Sequence, residues 1–239
     1  MCTLEKRGNL FFLTLTGDDD HRLGPAVIES LLSALSQLKS EATRGSVLIT
    51  TAQGTKFFSN GFDLAWARSA DTKSGAVDRL RQMVDSFKPV VAELISLPMP
   101  TIAALPGHAA AGGFLLALSH DYILMRRDRG VLYMSEVDLG LTFPDYFAAA
   151  MRLKIGSASA RRDVMLRGAK IRGDEAVRLG IAASAHDSAD SVLEAAVRLG
   201  EQLAQRKWNG EVYAEIRKSM FPGLCAVLGV SERVIIPKL

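Results

Sequence analysis

The sequence predicts an α/β fold built on parallel strands, and three observations support that prediction. Short apolar, β-branched segments alternate with segments whose apolar residues recur at helical spacing. Hydrophobic residues make up 48% of the 239 residues, which is enough to bury a sizeable core. After residue 186 the alternation stops and only helical patterns follow. We therefore expect an α/β core followed by a helical C-terminal region.

The predicted strands are short and buried. Residues 9–17, NLFFLTLTG, form an apolar run that ends at a turn, and residues 45–51, GSVLITT, form a β-branched run between turn residues. Residues 101–105, TIAAL, are followed by a Pro-Gly pair, and residues 121–126, DYILMR, complete the set. Because helical segments separate these strands, we expect parallel pairing through right-handed crossovers.

The predicted helices lie between and after these strands. Residues 24–40 have apolar residues at helical spacing, with Pro25 suited to the first helical position. Residues 77–97 carry a helical pattern that we expect Pro89 to interrupt. Two further patterns, SADSVLEAAVRLGEQLAQRKW and GEVYAEIRKSM, follow residue 186 without a strand between them. They predict a small helical region packed on the main domain or on a neighbouring subunit.

Charge and cysteine content narrow the function classes. The 29 basic and 26 acidic residues give a net charge of +3, and no basic run interleaved with aromatic residues points to nucleic acid. Cys2 and Cys225 fit neither a disulfide framework nor a metal site, which favours a reducing compartment. We expect no membrane span and no secretory signal. A small anionic ligand is compatible with the mild positive charge.

The segment HAAAGGFLLAL, residues 108–118, offers chemistry through its backbone. A helix is expected to begin near Ala111 and Gly112, because a Pro-Gly pair breaks the chain just before it. The N–H groups at a helix start lack intrahelical partners and carry partial positive charge. One of them can stabilise developing negative charge, as half of an oxyanion hole. The alternative is that Gly112 and Gly113 only permit close packing of helix and sheet.

A second segment, KFFSNGFDLAWA at residues 56–67, is the candidate for the other half. Asn60 and Gly61 predict a tight turn, whose backbone N–H groups lie free of a helix or strand. Asp63 is placed to cap the helix that follows. A plain turn is the alternative interpretation.

Taken together, FFSNGFDL and the later PTIAALPGHAAAGGF resemble the crotonase superfamily, also called the enoyl-CoA hydratase/isomerase family. Two further segments, LGLTFPDYFAAAMRLKIG and LRGAKIRGDEAVRLGIA, resemble later segments of that family. The resemblance implies a crotonase-type spiral of ββα units over residues 1–186. It also implies a helical C-terminal region, residues 187–239, that builds homotrimers or dimers of trimers.

The resemblance also implies activity on acyl-CoA thioesters, with no cofactor besides the coenzyme A that the substrate carries. Its motifs place the two oxyanion-hole N–H groups at Phe62 and Gly112. The substrate-binding residues that it implies are Ser59, Asn60, Gly61, Phe62, Asp63, Leu64, Gly112 and Leu115. Phe62 stands where the family usually has a small residue, and Ala111 stands where a glycine is frequent.

Carboxylates separate the reactions of this family. Its hydratases resemble one another in using two glutamates, and the matching positions here are Leu115 and Glu136. One carboxylate and one apolar side chain resemble the Δ3,Δ2-enoyl-CoA isomerases, which move a proton with a single acid/base. We therefore expect Glu136 to take a proton from C2 of a 3-enoyl-CoA and to return one to C4. The product would be the 2-trans-enoyl-CoA.

Alternatives stay open at this point. Asp145 is the second candidate for the acid/base, and Asp138 is a further nearby carboxylate. Hydration, thioester hydrolysis and dienoyl-CoA isomerisation are the alternative reactions, and a catalytically silent acyl-CoA binder is the alternative outside the enzymes. Arg22 and Lys56 are candidate contacts for the coenzyme A phosphates.

The last three residues predict a destination. Pro237, Lys238 and Leu239 resemble a peroxisomal address of the Ser-Lys-Leu type, with Pro in place of Ser. We expect the peroxisomal import receptor to bind this tail and the protein to act in fatty-acid β-oxidation. An ordinary basic and apolar tail is the alternative.

Overall fold

The computed structural model describes residues 1–236 as a spiral of strands and helices. The strands are β1 (Cys2–Arg7), β2 (Leu10–Leu15), β3 (Val47–Ala52), β4 (Phe57–Ser59), β5 (Thr101–Leu105), β6 (His108–Ala110), β7 (Tyr122–Arg126), β8 (Val131–Tyr133), β9 (Ile171–Arg172) and β10 (Ser184–His186). The helices are α1 (Pro25–Glu41), α2 (Leu64–Arg68), α3 (Lys73–Ser96), α4 (Gly112–Leu118), α5 (Glu136–Leu139), α6 (Asp145–Lys154), α7 (Ala158–Arg167), α8 (Gly173–Arg178), α9 (Ala189–Ala204), α10 (Gly210–Met220) and α11 (Pro222–Leu228).

The strands form two sheets, and successive strands from β3 to β8 alternate between them. The larger sheet has the order β1-β2-β3-β5-β7-β10, and the smaller sheet has the order β4-β6-β8-β9. From β3 to β8, each turn therefore gives its first strand to the larger sheet and its second strand to the smaller one. Apart from the β1–β2 and β8–β9 pairs, the strands pair in parallel, as the sequence predicts.

Both faces of the central strands of the larger sheet are buried. Phe11 and Leu13 of β2 face the main core, where α1 and α3 pack, whereas Leu10 and Phe12 face α9. This alternation follows from the two-residue period of a strand. Helix α9 thus covers the outer face of the sheet, while α10 packs on α3 and α11 packs on α6. The domain boundary predicted at residue 186 stays a prediction.

The predicted strands at β2, β3, β5 and β7 are confirmed, as are the helices at α1, α9 and α10. The expected interruption at Pro89 is wrong, because α3 runs unbroken through it. A proline inside a helix costs about 3 kcal/mol. Helix α3 buries six apolar side chains, and each fully buried one contributes about 1.5–3 kcal/mol, so packing outweighs the proline. The Tyr146 hydroxyl also donates to the Val84 carbonyl at 2.7 Å, in the turn before Pro89.

Two further predictions concern the ends of the chain and membranes. Within residues 1–236, no helix combines the length and the apolar character needed to cross a bilayer. The predicted targeting signal falls on Pro237, Lys238 and Leu239, which lie outside the described residues.

Candidate active site

The site begins where two neighbouring parallel strands end. β4 pairs with β6 in the smaller sheet, so the turn after each strand leaves the sheet at the same edge. The two turns are in contact there, since a Cβ atom added at Gly113 would overlap the carbonyl oxygen of Ser59. Only glycine fits at that position, because a larger residue would separate the segments.

The backbone at this contact has an unusual conformation. Gly61 has φ of +74°, and a Cβ atom there would lie 3.4 Å from the backbone nitrogen of Gly112. Ala111 has φ of +46° and ψ of −118°, a combination that L-residues rarely adopt. Such strain costs about 1–3 kcal/mol and persists only where the surrounding structure imposes it. The Ala111 N–H donates to the Tyr133 carbonyl at 2.9 Å, which helps to hold the strained turn.

Two backbone N–H groups, one on each turn, have no protein partner among residues 1–236. On either side of Phe62, the Gly61 carbonyl accepts from the Leu23 N–H at 2.8 Å and the Asp63 N–H donates to the Leu23 carbonyl at 3.4 Å. Within residues 1–236, neither the Phe62 N–H nor the Gly112 N–H donates to another protein group. Two free N–H groups on touching segments have the composition of an oxyanion hole.

A cavity of about 520 Å³ opens beside these turns. Its size lies within the range of small-molecule sites, about 300–1,000 Å³. The lining is mainly apolar and aromatic. The lining residues are Arg22, Asn60, Phe62, Leu64, Val77, Leu80, Arg81, Val84, Asp85, Ala110, Ala111, Tyr133, Ser135, Glu136, Leu139, Leu141, Thr142, Phe143, Pro144 and Phe147.

Glu136 is the buried carboxylate of this cavity. It is the first residue of α5, and only 8% of its surface is exposed. Its Oε2 atom is buried without a hydrogen-bond partner among residues 1–236. Burial raises the pKa of the Glu136 carboxyl above its usual range, against smaller opposing contributions from nearby backbone N–H groups. A carboxylate with a raised pKa and a free oxygen is suited to accept and return a proton.

Three other carboxylates near the site are exposed. Asp85 of α3 lines the cavity but faces solvent. Asp145 does not line the cavity; it accepts from the Tyr146 N–H at 2.7 Å and lies 3.9 Å from the Lys88 ammonium. Asp138 is exposed on α5 beside Gly168. Glu136 is thus the one carboxylate that the described residues place in a buried position on the cavity wall.

Of the predicted substrate-binding residues, Asn60, Phe62 and Leu64 line the cavity, and five others are not among its lining residues. Those five are Ser59, Gly61, Asp63, Gly112 and Leu115. Ser59, Gly61, Asp63 and Gly112 instead take part in the contacts that shape the two turns.

Ser59 illustrates this supporting position. Its hydroxyl donates to the His21 carbonyl at 2.8 Å and accepts from the Gly61 N–H at 3.3 Å. Asp63 accepts from the Trp66 N–H at 2.9 Å, so it caps α2 as predicted. Leu115 is fully buried in the main core.

The Phe62 side chain lines the cavity and packs on two other aromatic rings. Its ring lies edge-on to Phe87, with centroids 5.7 Å apart, and tilted on Phe147 at 6.1 Å. Two of its ring carbons would lie 3.6 Å from a Cβ atom on Gly112. The bulky residue at this position therefore fills space directly beside a free N–H group.

Sequence reasoning missed the aromatic and α3 side of the cavity. Tyr133, Phe143 and Phe147 line it, and so does the α3 face that contains Leu80 and Val84. The helical pattern of α3 predicts an apolar face. It does not show that part of this face is exposed to a cavity, because that depends on contacts distant in sequence.

Of the two basic residues named from the sequence, Arg22 borders the cavity and Lys56 does not, but both pair with Asp20. Arg22 lines the cavity and pairs with Asp20 at 3.1 Å, and Lys56 pairs with the same carboxylate at 3.4 Å. An anionic ligand here would have to compete with Asp20 for both cations. Within residues 1–236, no group of three or more His, Cys, Asp or Glu side chains is placed to hold a metal ion.

Comparison with known proteins gives consistent matches. Residues 18–221 match the profile of a family described as Enoyl-CoA hydratase/isomerase. Enoyl-CoA delta isomerase 2, peroxisomal, of Arabidopsis thaliana is 66% identical over the full length of both chains. Enoyl-CoA delta isomerase 3 of the same plant is 65% identical, covering 97% of this chain and 96% of its own.

Solved structures support the architecture. A probable enoyl-CoA hydratase of Mycobacterium tuberculosis superimposes with a TM-score of 0.84 at 20% identity, covering 95% of this chain and 91% of its own. An enoyl-CoA hydratase/isomerase family protein from Pseudomonas syringae gives 0.83 at 24% identity, covering 95% and 93%. At these identities the likeness concerns the fold alone.

Proposed function

Because the chain belongs to the enoyl-CoA hydratase/isomerase family, we infer that it is a peroxisomal Δ3,Δ2-enoyl-CoA isomerase that acts in fatty-acid β-oxidation. Its fold is the crotonase-type spiral of ββα units, as predicted. Two relatives at 66% and 53% identity carry the name peroxisomal enoyl-CoA delta isomerase. The observation that carries the mechanism is Glu136, a buried carboxylate on the cavity wall with one oxygen that has no hydrogen-bond partner among residues 1–236.

Proton transfer is assigned to Glu136. Its carboxylate removes a proton from C2 of a bound 3-enoyl-CoA, and the electron pair of that C–H bond moves into the conjugated dienolate. The protonated Glu136 then gives the proton to C4, and the double bond comes to lie between C2 and C3. The raised pKa makes Glu136 a stronger base than an exposed glutamate while keeping it able to act as an acid.

The N–H groups of Phe62 and Gly112 stabilise the intermediate. Deprotonation at C2 puts negative charge on the thioester oxygen, and both N–H groups are free to donate to it. Each donor of a preorganised oxyanion hole contributes about 3 kcal/mol. The strained Ala111 turn and the Gly113–Ser59 contact fix the donors before substrate binds.

Leu115 supports isomerisation over hydration. Addition of water across the double bond needs a second group to orient and deprotonate that water. The side chain at this position is fully buried and apolar, and the other carboxylate on the cavity wall, Asp85, is exposed. One buried carboxylate in an apolar cavity suits a proton shuttle.

The remaining parts of the proposal concern the rest of the substrate and the assembly. Arg22 on the cavity wall, and Lys56 that shares its Asp20 partner, meet the coenzyme A phosphates in exchange for Asp20. The reaction as written needs no cofactor. A homotrimer or dimer of trimers, and an import receptor that binds Pro237, Lys238 and Leu239, complete the proposal.

The test is conversion of a trans-3-enoyl-CoA to its 2-enoyl isomer by the wild type and by Glu136→Gln. We expect kcat to fall by about 10² to 10⁴ in the variant, because a positioned acid/base contributes about that factor. Acyl-CoA binding, measured by calorimetry, should remain. The pKa shift also predicts that the acidic limb of the wild-type profile lies above pH 4.5.

Two matched variants make the result specific. Asp85→Asn removes the exposed carboxylate of the cavity, and Asp145→Asn removes the alternative acid. Both should keep activity within about threefold of the wild type. Full activity in Glu136→Gln would refute the assignment, and loss in Asp145→Asn alone would transfer the role. Formation of 3-hydroxyacyl-CoA, or binding without turnover, would favour a hydratase or a silent binder.

A further inference from the structure

The Phe62 ring borders the space in which the reacting carbons of a bound acyl-CoA must lie. The backbone N–H of Phe62 is one of the two groups that are free to hold a thioester oxygen, and its side chain lines the same cavity. Two ring carbons, Cε2 and Cζ, would lie 3.6 Å from a Cβ atom on Gly112, which carries the other N–H group. The ring therefore lies against Gly112, beside the oxyanion hole.

Packing fixes this ring in place. Phe87 and Phe147 are both buried, and their ring centroids lie 5.7 Å and 6.1 Å from that of Phe62. The backbone is held as well, because Phe62 forms a parallel bridge with Leu23, which also bonds to the residues on either side of Phe62. In a close-packed region such a ring cannot move aside without displacing its neighbours. A substrate therefore cannot use the space that the ring occupies.

The carbon next to the thioester is the atom that this ring constrains most. C2 is bonded directly to the carbonyl carbon, so it stays beside the Phe62 and Gly112 N–H groups. It must also lie within reach of Glu136, because proton transfer requires hydrogen-bond distance. The position of C2 is thus fixed from two sides, and any substituent on C2 has to fit the space that remains.

We propose that Phe62 determines specificity, and that its ring restricts the site to acyl-CoAs that are unbranched at C2. Glu136 faces one hydrogen of C2, and the ring fills the space beside the other hydrogen, where a 2-methyl group would have to lie. This role rests on the proposed function, since it requires the Phe62 and Gly112 N–H groups to hold the thioester oxygen. A small residue at this position, which is usual in the family, would leave that space open.

One methyl group is enough to be rejected by such a wall. An extra methylene in a hydrophobic pocket changes discrimination by about 10- to 200-fold. Added volume in a well-packed region forces side chains off their rotamers or shifts the backbone. The Phe62 ring is backed by Phe87 and Phe147, so it cannot yield to the methyl group at low cost.

The test compares the binding of three saturated ligands by calorimetry: hexanoyl-CoA and the two C2 epimers of 2-methylhexanoyl-CoA, measured separately. These ligands have no double bond to move, so their binding is measured whether or not the protein is an isomerase. We expect the wild type to bind hexanoyl-CoA about tenfold or more tightly than either epimer.

Phe62→Ala keeps the backbone N–H and removes the ring. The epimer whose methyl group enters the vacated space should then bind within about threefold of hexanoyl-CoA. The other epimer directs its methyl group towards Glu136 and should stay excluded in both proteins. Each result is a ratio of two affinities in the same protein, so a general loss of affinity cancels.

Two further variants make the result specific. Phe62→Leu fills part of the space and should give an intermediate ratio, which also supplies the measurement if the alanine variant does not fold. Leu64→Ala removes another apolar side chain from the cavity wall, at the start of α2, and should leave the ratios at their wild-type values.

The outcomes separate this specificity from the proposed activity. Equal binding of the three ligands by the wild type, or unchanged discrimination in Phe62→Ala, would overturn the role of the ring and leave the isomerase proposal intact. Recovery of both epimers alike would overturn it too, because general loosening of the cavity would then be the cause. Failure of the wild type to bind hexanoyl-CoA would overturn the proposed function, and this role with it.

Discussion

Two regions of the molecule bury ionisable groups in opposite ways. In the active cavity, Glu136 is buried with one oxygen unpartnered. Under α10 lies a second set, His120, Asp121 and Arg217, which we call the buried polar cluster. Both ring nitrogens of His120 are hydrogen bonded there, to Thr50 Oγ1 at 2.7 Å and to the Leu116 carbonyl at 2.9 Å.

The two regions differ in whether their buried polar groups are hydrogen bonded, and this difference separates a structural role from a chemical one. In the buried polar cluster, Arg217 donates to both Asp121 oxygens and to the carbonyls of Ile95, Leu97 and Met99. Such satisfied groups join distant segments, here α3, β7 and α10. An unsatisfied buried group costs about 1–3 kcal/mol, and a fold tolerates that cost where the group has chemistry to perform. Unpaired groups therefore mark the site, and paired groups mark the scaffold.

The largest expected effect on stability comes from removing a paired group of the buried polar cluster. Arg217→Met leaves the Asp121 carboxylate buried and unpaired, along with three backbone carbonyls. Loss of one partner of a buried ion pair costs about 3–5 kcal/mol. We expect that loss in the free energy of unfolding from urea titration, while the folded fraction keeps its isomerase activity.

Arg198→Met is the matched control. Arg198 pairs with Glu194 at 3.7 Å on the exposed face of α9, with both side chains more than 60% exposed. Exposed pairs contribute at most about 1 kcal/mol. If both variants lose the same stability, the buried polar cluster does not hold α10 in place.

The second prediction concerns the buried carboxylate of the active site. Glu136→Leu removes a buried carboxylate whose Oε2 atom has no partner among residues 1–236, so it should raise the free energy of unfolding at pH 8 by about 1–3 kcal/mol while abolishing activity. Because the folded pKa of Glu136 is raised, its ionised form is disfavoured by folding. That cost is present above the folded pKa and disappears below the unfolded value of 4.5. The gain should therefore vanish near pH 4.

Asp138→Leu provides the comparison for this stability gain. Asp138 lies two residues later on the same short helix and is exposed. A surface substitution there should change stability by no more than about 0.5 kcal/mol at either pH. A loss of stability in Glu136→Leu would show that the carboxylate is a structural group, like those of the buried polar cluster.

The third prediction concerns the pH dependence of the stability that His120 contributes in the buried polar cluster. Burial lowers the pKa of His120 to about 4, against 6.5 for an unperturbed histidine. The folded state thus holds His120 neutral, and its stability contribution is complete above pH 6.5 and lost as pH falls towards 4. Between pH 7.5 and pH 5 this loss amounts to about 2 kcal/mol.

His120→Gln removes the titration at this position. Its unfolding free energy should fall about 2 kcal/mol less than that of the wild type over the same pH interval. Other groups that titrate between pH 7.5 and pH 5 are common to both proteins and cancel in the difference. Equal losses in the two proteins would mean that His120 is protonated in the fold at pH 5.

The comparison also explains what could be predicted from sequence. The turn that carries Phe62 has a local signal, an Asn-Gly pair, whereas the Pro-Gly pair precedes β6 and the turn that carries Gly112 follows that strand. The structure brings the Phe62 and Gly112 turns into contact. Strands β4, β6, β8 and β9 have two or three residues each, too few for a two-residue period to be visible. The second sheet, which aligns the two turns, was therefore not predicted as a sheet.

Burial of a polar group is the other feature that local sequence does not reveal. Glu136 is followed by Val137, which is 45% exposed, so the burial order is the reverse of what hydrophobicity predicts. Its role was implied by family resemblance. Lys154 and Arg217 look like ordinary basic residues near helix ends, and only the packing of α6 and α10 on distant segments shows that they are enclosed.

The smallest expected effect tests whether the backbone conformation of Ala111 is strained. Ala111 has φ of +46° and ψ of −118°, which glycine adopts without penalty. Ala111→Gly should release part of the about 1–3 kcal/mol of strain, less the about 0.5–1 kcal/mol by which glycine favours the unfolded chain. We expect a net gain of about 1 kcal/mol in the free energy of unfolding, measured by thermal or urea unfolding.

Ala110→Gly is the control, one residue earlier in β6 and without positive φ. Its free energy of unfolding should instead fall by about 0.5–1 kcal/mol. If both substitutions destabilise equally, the Ala111 turn stores no strain. If Ala111→Gly gains stability but loses isomerase activity, the Ala111 side chain is what keeps the Gly112 N–H aimed at the substrate.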